Sequence, residues 1–188
     1  MTEKDIVQGC IADDRRCQNT LYNNYFPLMS SVAIRYYQNK DDALQAINYG
    51  FLKVLKNVSS YNETYTLATW IRNILVNHII DDFRKNAKYN DHMHITDYVE
   101  DNDKLSTNLA EAKWDEEELR HMLQALPVTT RNVFNLYAID GFKHREISTM
   151  IGISEGTSKW HVSEARKKLK KLLHKQLQSN EITISNVE

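Results

Sequence analysis

The chain has 188 residues, room for one medium domain or two small ones, and 41% of them are hydrophobic, enough to bury real cores. Five Gly and two Pro are too few for a turn-rich β architecture and favour long helices. The formal net charge of -1 excludes a uniformly basic or acidic protein. It conceals a split, however. From Tyr89 to Glu118, Asp91, Asp97, Glu100, Asp101, Asp103, Glu111 and Asp115 to Glu118 face only Lys104 and Lys113. From Lys143 to Lys175 the balance reverses, which points to a polyanionic partner for the C-terminal end alone.

Cys10 and Cys17, seven apart, are expected on one face of a single helix as reduced, partly buried thiols. No Cys/His spacing matches a structural zinc site, and no cofactor or metal is expected. There is no apolar run long enough to cross a membrane and no apolar signal segment, so a cytoplasmic protein is expected.

Helical spacing of apolar residues recurs along the first half: Leu21, Tyr25, Leu28, Met29 and Val32, then Ala43, Ile47, Phe51, Leu52 and Leu55 behind a cap at Asp41 or Asp42. Residues 57–66 read as a loop. A helix follows from about Leu67 to Ala87, with Ile71, Ile74, Leu75, Ile79 and Phe83 inward and Asn73, Asn77 and Arg84, joined by Ile80, on the opposite side. Periodicity fades over 89–112, the expected acidic linker. Trp114, Leu119, Met122, Leu123 and Leu126 open a second helical domain, Pro127 ends that helix, and another runs from Thr129 or Thr130 to Ile139.

The stretch from Asp140 to Leu173 is the most specific. Gly141 stops one helix, and Lys143 to Ile151 form a short one. Gly152 supplies a positive φ, Ile153 plugs the angle, and Ser154 caps a helix with Val162, Ala165, Leu169 and Leu173 inward. This order is a helix-turn-helix, whose second helix enters the major groove by its N-terminal end. With Val162 inward, Trp160 lies about 160° away, with Thr157, Glu164 and Lys167 on the same outer side. Two readings of Trp160 stand: packing against a neighbour, or apolar contact with a thymine methyl beside phosphate contacts from Lys159, His161 and Lys167.

The segment "LPVTTRNVFNLYAIDGFKHREISTMIGISEGTSKWHVSEARKKLKKLL" resembles domain 4 of extracytoplasmic-function (ECF) sigma factors. The resemblance lies in Leu126-Pro127, Arg131, Glu146-Ile147, Gly152 to Thr157 and Ala165-Arg166. The first half is similar to domain 2 of that family in "LYNNYFPLM" and in "TWIRNILVNHIIDDFRK", with Trp70, Asn77, Asp81 and Arg84 at matching positions. Together the two cover about Leu21 to Leu173.

The resemblance implies an all-α protein: domain 2 over 1–88, an acidic linker over 89–112, domain 4 over 113–178 and a tail over 179–188. It implies a sigma factor that binds core RNA polymerase and directs promoter recognition, open-complex formation and transcription initiation, not an enzyme. Ser154, Glu155, Thr157, Lys159, Trp160, His161, Arg166 and Lys167 would serve the minus-thirty-five element. Tyr61, Tyr65, Asn73, Asn77 and Arg84 would serve the minus-ten element, with an unstacked base in the loop Ser59 to Thr66, where the tyrosines either stack on it or pack under the loop. Asp42, Leu44, Gln45, Asn48 and Phe51 would meet polymerase. The implied partners are core polymerase, promoter DNA and an anti-sigma factor, with no small-molecule substrate and no membrane insertion.

Two positions depart from the family. Leu44 and Gln45 stand where an acidic pair is usual, with Asn48 in place of a glutamine, and Glu164 stands where a basic residue is common. Alternatives are a helix-turn-helix regulator, or a sigma-like decoy that binds an anti-sigma protein. A ligand-sensing repressor of this length usually places its helix-turn-helix first, and a phospho-receiver would need alternating strands and helices. No phosphate loop, metal set or nucleophile-base pair suggests an enzyme.

Overall fold

The computed structural model describes residues 1–89 and 116–185, which form helices and no strand. The chain divides into two compact units that part between His92 and Met93. The expected linker, 89–112, falls outside the described residues apart from Tyr89, as does Trp114.

Among its described residues the first unit holds four α-helices, α1 (Glu3–Ile11), α2 (Arg15–Tyr36), α3 (Lys40–Asn57) and α4 (Leu67–Tyr89), with a short 3-10 helix, Val58–Ser60, after α3. Each α-helix starts at a side-chain cap that accepts from otherwise orphaned N–H groups of the first turn, Thr66 accepting from the Thr69 N–H at 3.3 Å on α4. Thr2 closes a capping box with Asp5 on α1, and Asp14 accepts from the N–H groups of Arg16 and Cys17 on α2. At α3 the cap is Asn39, which accepts from Asp41; Asp41 and Asp42, expected as caps, fill the first turn, where carboxylates favour the helix dipole. Cys10 and Cys17 lie on two helices rather than one, because the chain turns at 12–14; both are buried and free.

The core is built by Leu21, Met29, Val32, Ile47, Val54, Leu67, Ile71, Leu75, Val76, Ile79 and Ile80, all nearly inaccessible. Two expectations change here. Ile80 is 2% exposed rather than part of the outward polar stripe, because α4 is covered by both α2 and α3 and its buried sector is wider than one face. Leu52 is 51% exposed rather than inward.

The second unit contains α5 (Glu116–Gln124), α6 (Val128–Phe134), α7 (His144–Ile151) and α8 (Glu155–Ser185). Pro127 stands at the start of α6, where its fixed φ suits a helix entry. After α6 the backbone widens over Asn135–Ile139, closed by the Asp140 N–H donating to the Asn135 carbonyl at 2.9 Å. Gly141 turns the chain out at φ 80°. Met122, Leu123, Leu126, Phe134, Ala165 and Leu169 form the core, with Ile139 and Leu172 against it. Leu119, expected inward, is 36% exposed near the start of α5. The helix α8 continues to Ser185, past the expected boundary at 178.

Glycine at position 9 permits the close approach of α1 and α2: a Cβ there would sit 2.7 Å from the Cys17 Cβ and 2.2 Å from its sulfur. At Gly50 a Cβ would meet chiefly the Leu75 Cδ1 at 2.6 Å, a terminal methyl that can turn aside. Gly9→Ala is therefore expected to lower stability by about 1–3 kcal/mol through overpacking, and Gly50→Ala by less. Urea unfolding of both variants checks the order.

Candidate nucleic-acid interface

The helix-turn-helix forms through local chemistry. The Lys143 N–H donates to the Glu146 carboxylate at 2.7 Å, which fixes the start of α7. Gly152 ends it in the left-handed region, φ 84° and ψ 36°, and its N–H donates to the Ser148 carbonyl at 2.9 Å. The Thr157 N–H then donates to Ser154 Oγ at 2.9 Å, the cap that starts α8.

The buried stripe of α8 runs through Ser158, Val162, Ala165 and Leu169, and it widens at the first turn to take in Thr157. Its first turn lies against α7, where Ser158 Oγ pairs with His144 Nδ1 at 2.9 Å. Further on, Val162, Ala165 and Leu169 are buried, with Ala165 and Leu169 in the cluster that holds the α5 and α6 side chains. Thr157, expected on the outer side, is instead 8% exposed, with its hydroxyl held by Ser154 Oγ at 2.8 Å, because the covered sector of α8 is wider than one stripe where α7 packs on it. Glu155, Lys159 and Arg166 are exposed, as is Ser154, although its hydroxyl is engaged by the cap. Lys167 is half-buried. Glu164 lies 4.0 Å from Lys168 one turn on, a partly solvated pair that contributes little to stability.

His161 also differs from expectation. It is half-buried, its Nδ1 is 3.0 Å from the Thr130 hydroxyl of α6, and burial holds its pKa below the ordinary histidine value. An uncharged, tethered imidazole is not the phosphate-binding cation the sequence suggested. Trp160 is half-buried too, with its ring centroid 4.9 Å from that of His161 at 69°. Behind the motif, burial also lowers the pKa of the His144 imidazole, which stacks on Tyr137 at 4.3 Å and 15°.

In the first unit Asn73, Asn77 and Arg84 are exposed along α4. Asp81 stands 3.8 Å from Arg84 and 3.7 Å from Lys53. The two loop tyrosines are used differently. Tyr61 packs on Trp70 with centroids 5.4 Å apart, and its hydroxyl donates to the Tyr65 carbonyl at 3.0 Å, closing the loop on itself. The Tyr65 ring is 63% exposed. Glu3 of α1 accepts from the Tyr25 hydroxyl, and its charge helps raise the Tyr61 pKa after desolvation.

On α3, Asp41, Leu44, Gln45, Asn48, Tyr49 and Leu52 line one shallow groove. Asp42 is exposed on the same helix. Phe51, expected beside them, does not line the groove: it is 8% exposed and packs in the core, meeting Tyr22 edge-on at 4.9 Å. The Asn48 amide oxygen accepts from the Tyr22 hydroxyl at 3.0 Å. Sequence reading missed Tyr49 in this groove and placed Leu52 inside. The signal was the 44-48-52 row, one helical turn apart at each step, beside the buried 43-47-51-54 row.

Among the described residues no helix is long and apolar enough to cross a membrane, and no group of three His, Cys, Asp or Glu side chains is placed to hold a metal ion.

Two family models match: Sigma-70 region 2 over residues 21–89 and Sigma-70, region 4 over 116–169, together about two thirds of the chain. The ECF RNA polymerase sigma factor EcfG of Rhodopseudomonas palustris is 29% identical over 154 residues, 79% of this chain and 80% of that protein. SigM of Mycobacterium tuberculosis, also named an ECF RNA polymerase sigma factor, is 23% identical over 172 residues, 92% and 85% of the two chains. A solved structure of the sigma factor RpoE with the anti-sigma factor NepR from Bartonella quintana matches in fold. Its TM-score is 0.50 at 22% identity, over 83% of this chain and 96% of that one. With both sigma regions in order along one chain, the protein belongs to the sigma-70 family of RNA polymerase sigma factors, in its ECF group.

Proposed function

We propose that this sigma factor divides promoter recognition between its two units: α8 reads the minus-thirty-five element, and α4 with the 58–66 loop engages the minus-ten element. The observation that carries the reading is the outer side of α8 in a formed helix-turn-helix, where Lys159 and Arg166 are exposed and share one side of the helix next to the half-buried Trp160. Lys159, Arg166 and Lys167 supply phosphate contacts that position the helix, and Trp160 supplies the apolar surface for a base edge. The exposed ring of Tyr65 is the better platform for an unstacked base, since Tyr61 is already packed on Trp70. Asn73, Asn77 and Arg84 follow the displaced strand. The factor works with core polymerase in the cytoplasm as a binding subunit without catalysis of its own, under the control of an anti-sigma factor.

The α3 groove is the proposed polymerase surface. Leu44, Tyr49 and Leu52 expose 44%, 54% and 51% of their surfaces, a row of large apolar groups with Asp41 at its end. Apolar burial is not weakened by ionic screening, whereas the carboxylate pair usual in the family is.

Run-off transcription with core polymerase on a promoter library tests the function as a whole; start sites that depend on this chain are expected, and a decoy or repressor produces none. On the selected promoter, Trp160→Ala is expected to cost about 1–3 kcal/mol of binding and little on scrambled DNA. Because the indole packs on His161, the same change should also lower stability, by about 0.5–1.5 kcal/mol. Lys159→Ala should weaken binding to every sequence and flatten the salt dependence by about one unit. Duplex titrations at several salt concentrations separate the two.

For polymerase, core affinity is expected to fall little between low and moderate salt, while Leu44→Ala and Leu52→Ala each weaken it about tenfold. A steep salt dependence that both variants leave unchanged would place docking elsewhere.

A further inference from the structure

We propose that Thr130 and His161 form a tether that holds the Trp160 indole in its base-reading orientation, making His161 a positioning residue for minus-thirty-five recognition rather than a DNA contact. The inference rests on the reading that Trp160 meets a base edge. It starts from a geometry that reading does not need. Thr130 is 3% exposed and fixed on α6, inside the packed unit. Its hydroxyl lies 3.0 Å from His161 Nδ1, across 31 residues of sequence. The imidazole so held meets the neighbouring indole edge-on, with centroids 4.9 Å apart and planes at 69°.

Each link removes a freedom. An untethered imidazole at the surface of a helix samples several rotamers, and the hydrogen bond to a buried hydroxyl leaves one. A fixed ring then offers one favourable edge-to-face seat to the adjacent indole. Trp160 thus reaches DNA with its side chain already ordered, and the ordering cost is met on folding rather than on binding. That saving applies only where the ordered indole fits the base step, so it sharpens discrimination and leaves non-specific binding unchanged. The same geometry accounts for a histidine beside a basic DNA-binding surface that is half-buried and uncharged.

The test uses the full chain, labelled with 5-fluorotryptophan, and two duplexes: the selected minus-thirty-five sequence and a scrambled one. Thr130→Val keeps shape and removes the hydroxyl; His161→Phe keeps a ring without the hydrogen bond; His161→Ala removes both. Thr130→Val and His161→Ala are expected to lower the ratio of specific to scrambled affinity about fivefold or more, with scrambled binding unchanged. His161→Phe should retain more of the ratio than His161→Ala. The Trp160 fluorine resonance, assigned with Trp160→Phe, should be a single sharp line in the parent and broaden or split in Thr130→Val, a change a merely structural role would not produce. Thermal unfolding identifies any variant that fails to fold, and Thr130→Val then carries the test alone. Unchanged discrimination in Thr130→Val with an unchanged resonance would overturn the tether while Trp160→Ala still abolishes discrimination. If Trp160→Ala itself leaves discrimination intact, the reading of Trp160 fails and the tether with it.

Discussion

Each functional helix of this protein can present a working face only because its other face is buried, and that burial is the constraint on which the rest depends. In α8 it is Val162, Ala165 and Leu169, the last two clustered with Met122, Leu123, Leu126 and Phe134. In α4 it is Leu67, Ile71, Leu75, Val76, Ile79 and Ile80. Burying a side chain of this size is worth about 1.5–3 kcal/mol, far more than any surface ion pair such as Asp81 with Arg84. The charged and polar groups that meet partners therefore contribute little to the fold. They are free to be chosen for recognition.

The helix α3 shows the constraint at its limit. One side packs Ala43, Ile47, Gly50, Phe51 and Val54 into the core, with Gly50 close against Leu75, and the other side still exposes Leu44, Tyr49 and Leu52. A helix apolar on two sides is stable only when one of them finds a partner for at least part of the protein's working life. In the docking proposed for this face, the exposed row of Leu44, Tyr49 and Leu52 exchanges screened charge for apolar burial.

Desolvation does a parallel task around the helix-turn-helix. Burial lowers the pKa values of His144 and His161, so two imidazoles close to a surface for polyanions stay uncharged and bind Ser158 and Thr130 instead. Their role becomes internal: one secures the first turn of α8 to α7, the other secures its second turn to α6. Positive charge on that surface is left to Lys159, Arg166 and Lys167, whose long side chains need no buried partner.

Much of this was legible in the amino-acid order. Local signals are short-range and strong: the positive φ at Gly152, the Ser154 cap, Pro127 at a helix boundary and the 3.6-residue spacing of Val162, Ala165 and Leu169 required no knowledge of the third dimension. The break over 57–66 and the helix from Leu67 were likewise visible, since polar turn residues interrupt the apolar period there, although Asn57 still belongs to α3 and Val58–Ser60 form a 3-10 helix. What periodicity could not supply was the direction of each neighbour. Thr157 is buried because α7 crosses the first turn of α8, and Ile80 because α4 is covered from two sides. His161 changed from a presumed cation to a tethered neutral ring because Thr130, 31 residues earlier, lies beside it. One helix's sequence encodes which of its faces is apolar, but which polar group meets which partner is decided by the packing of the others, and that is set only when the whole core closes.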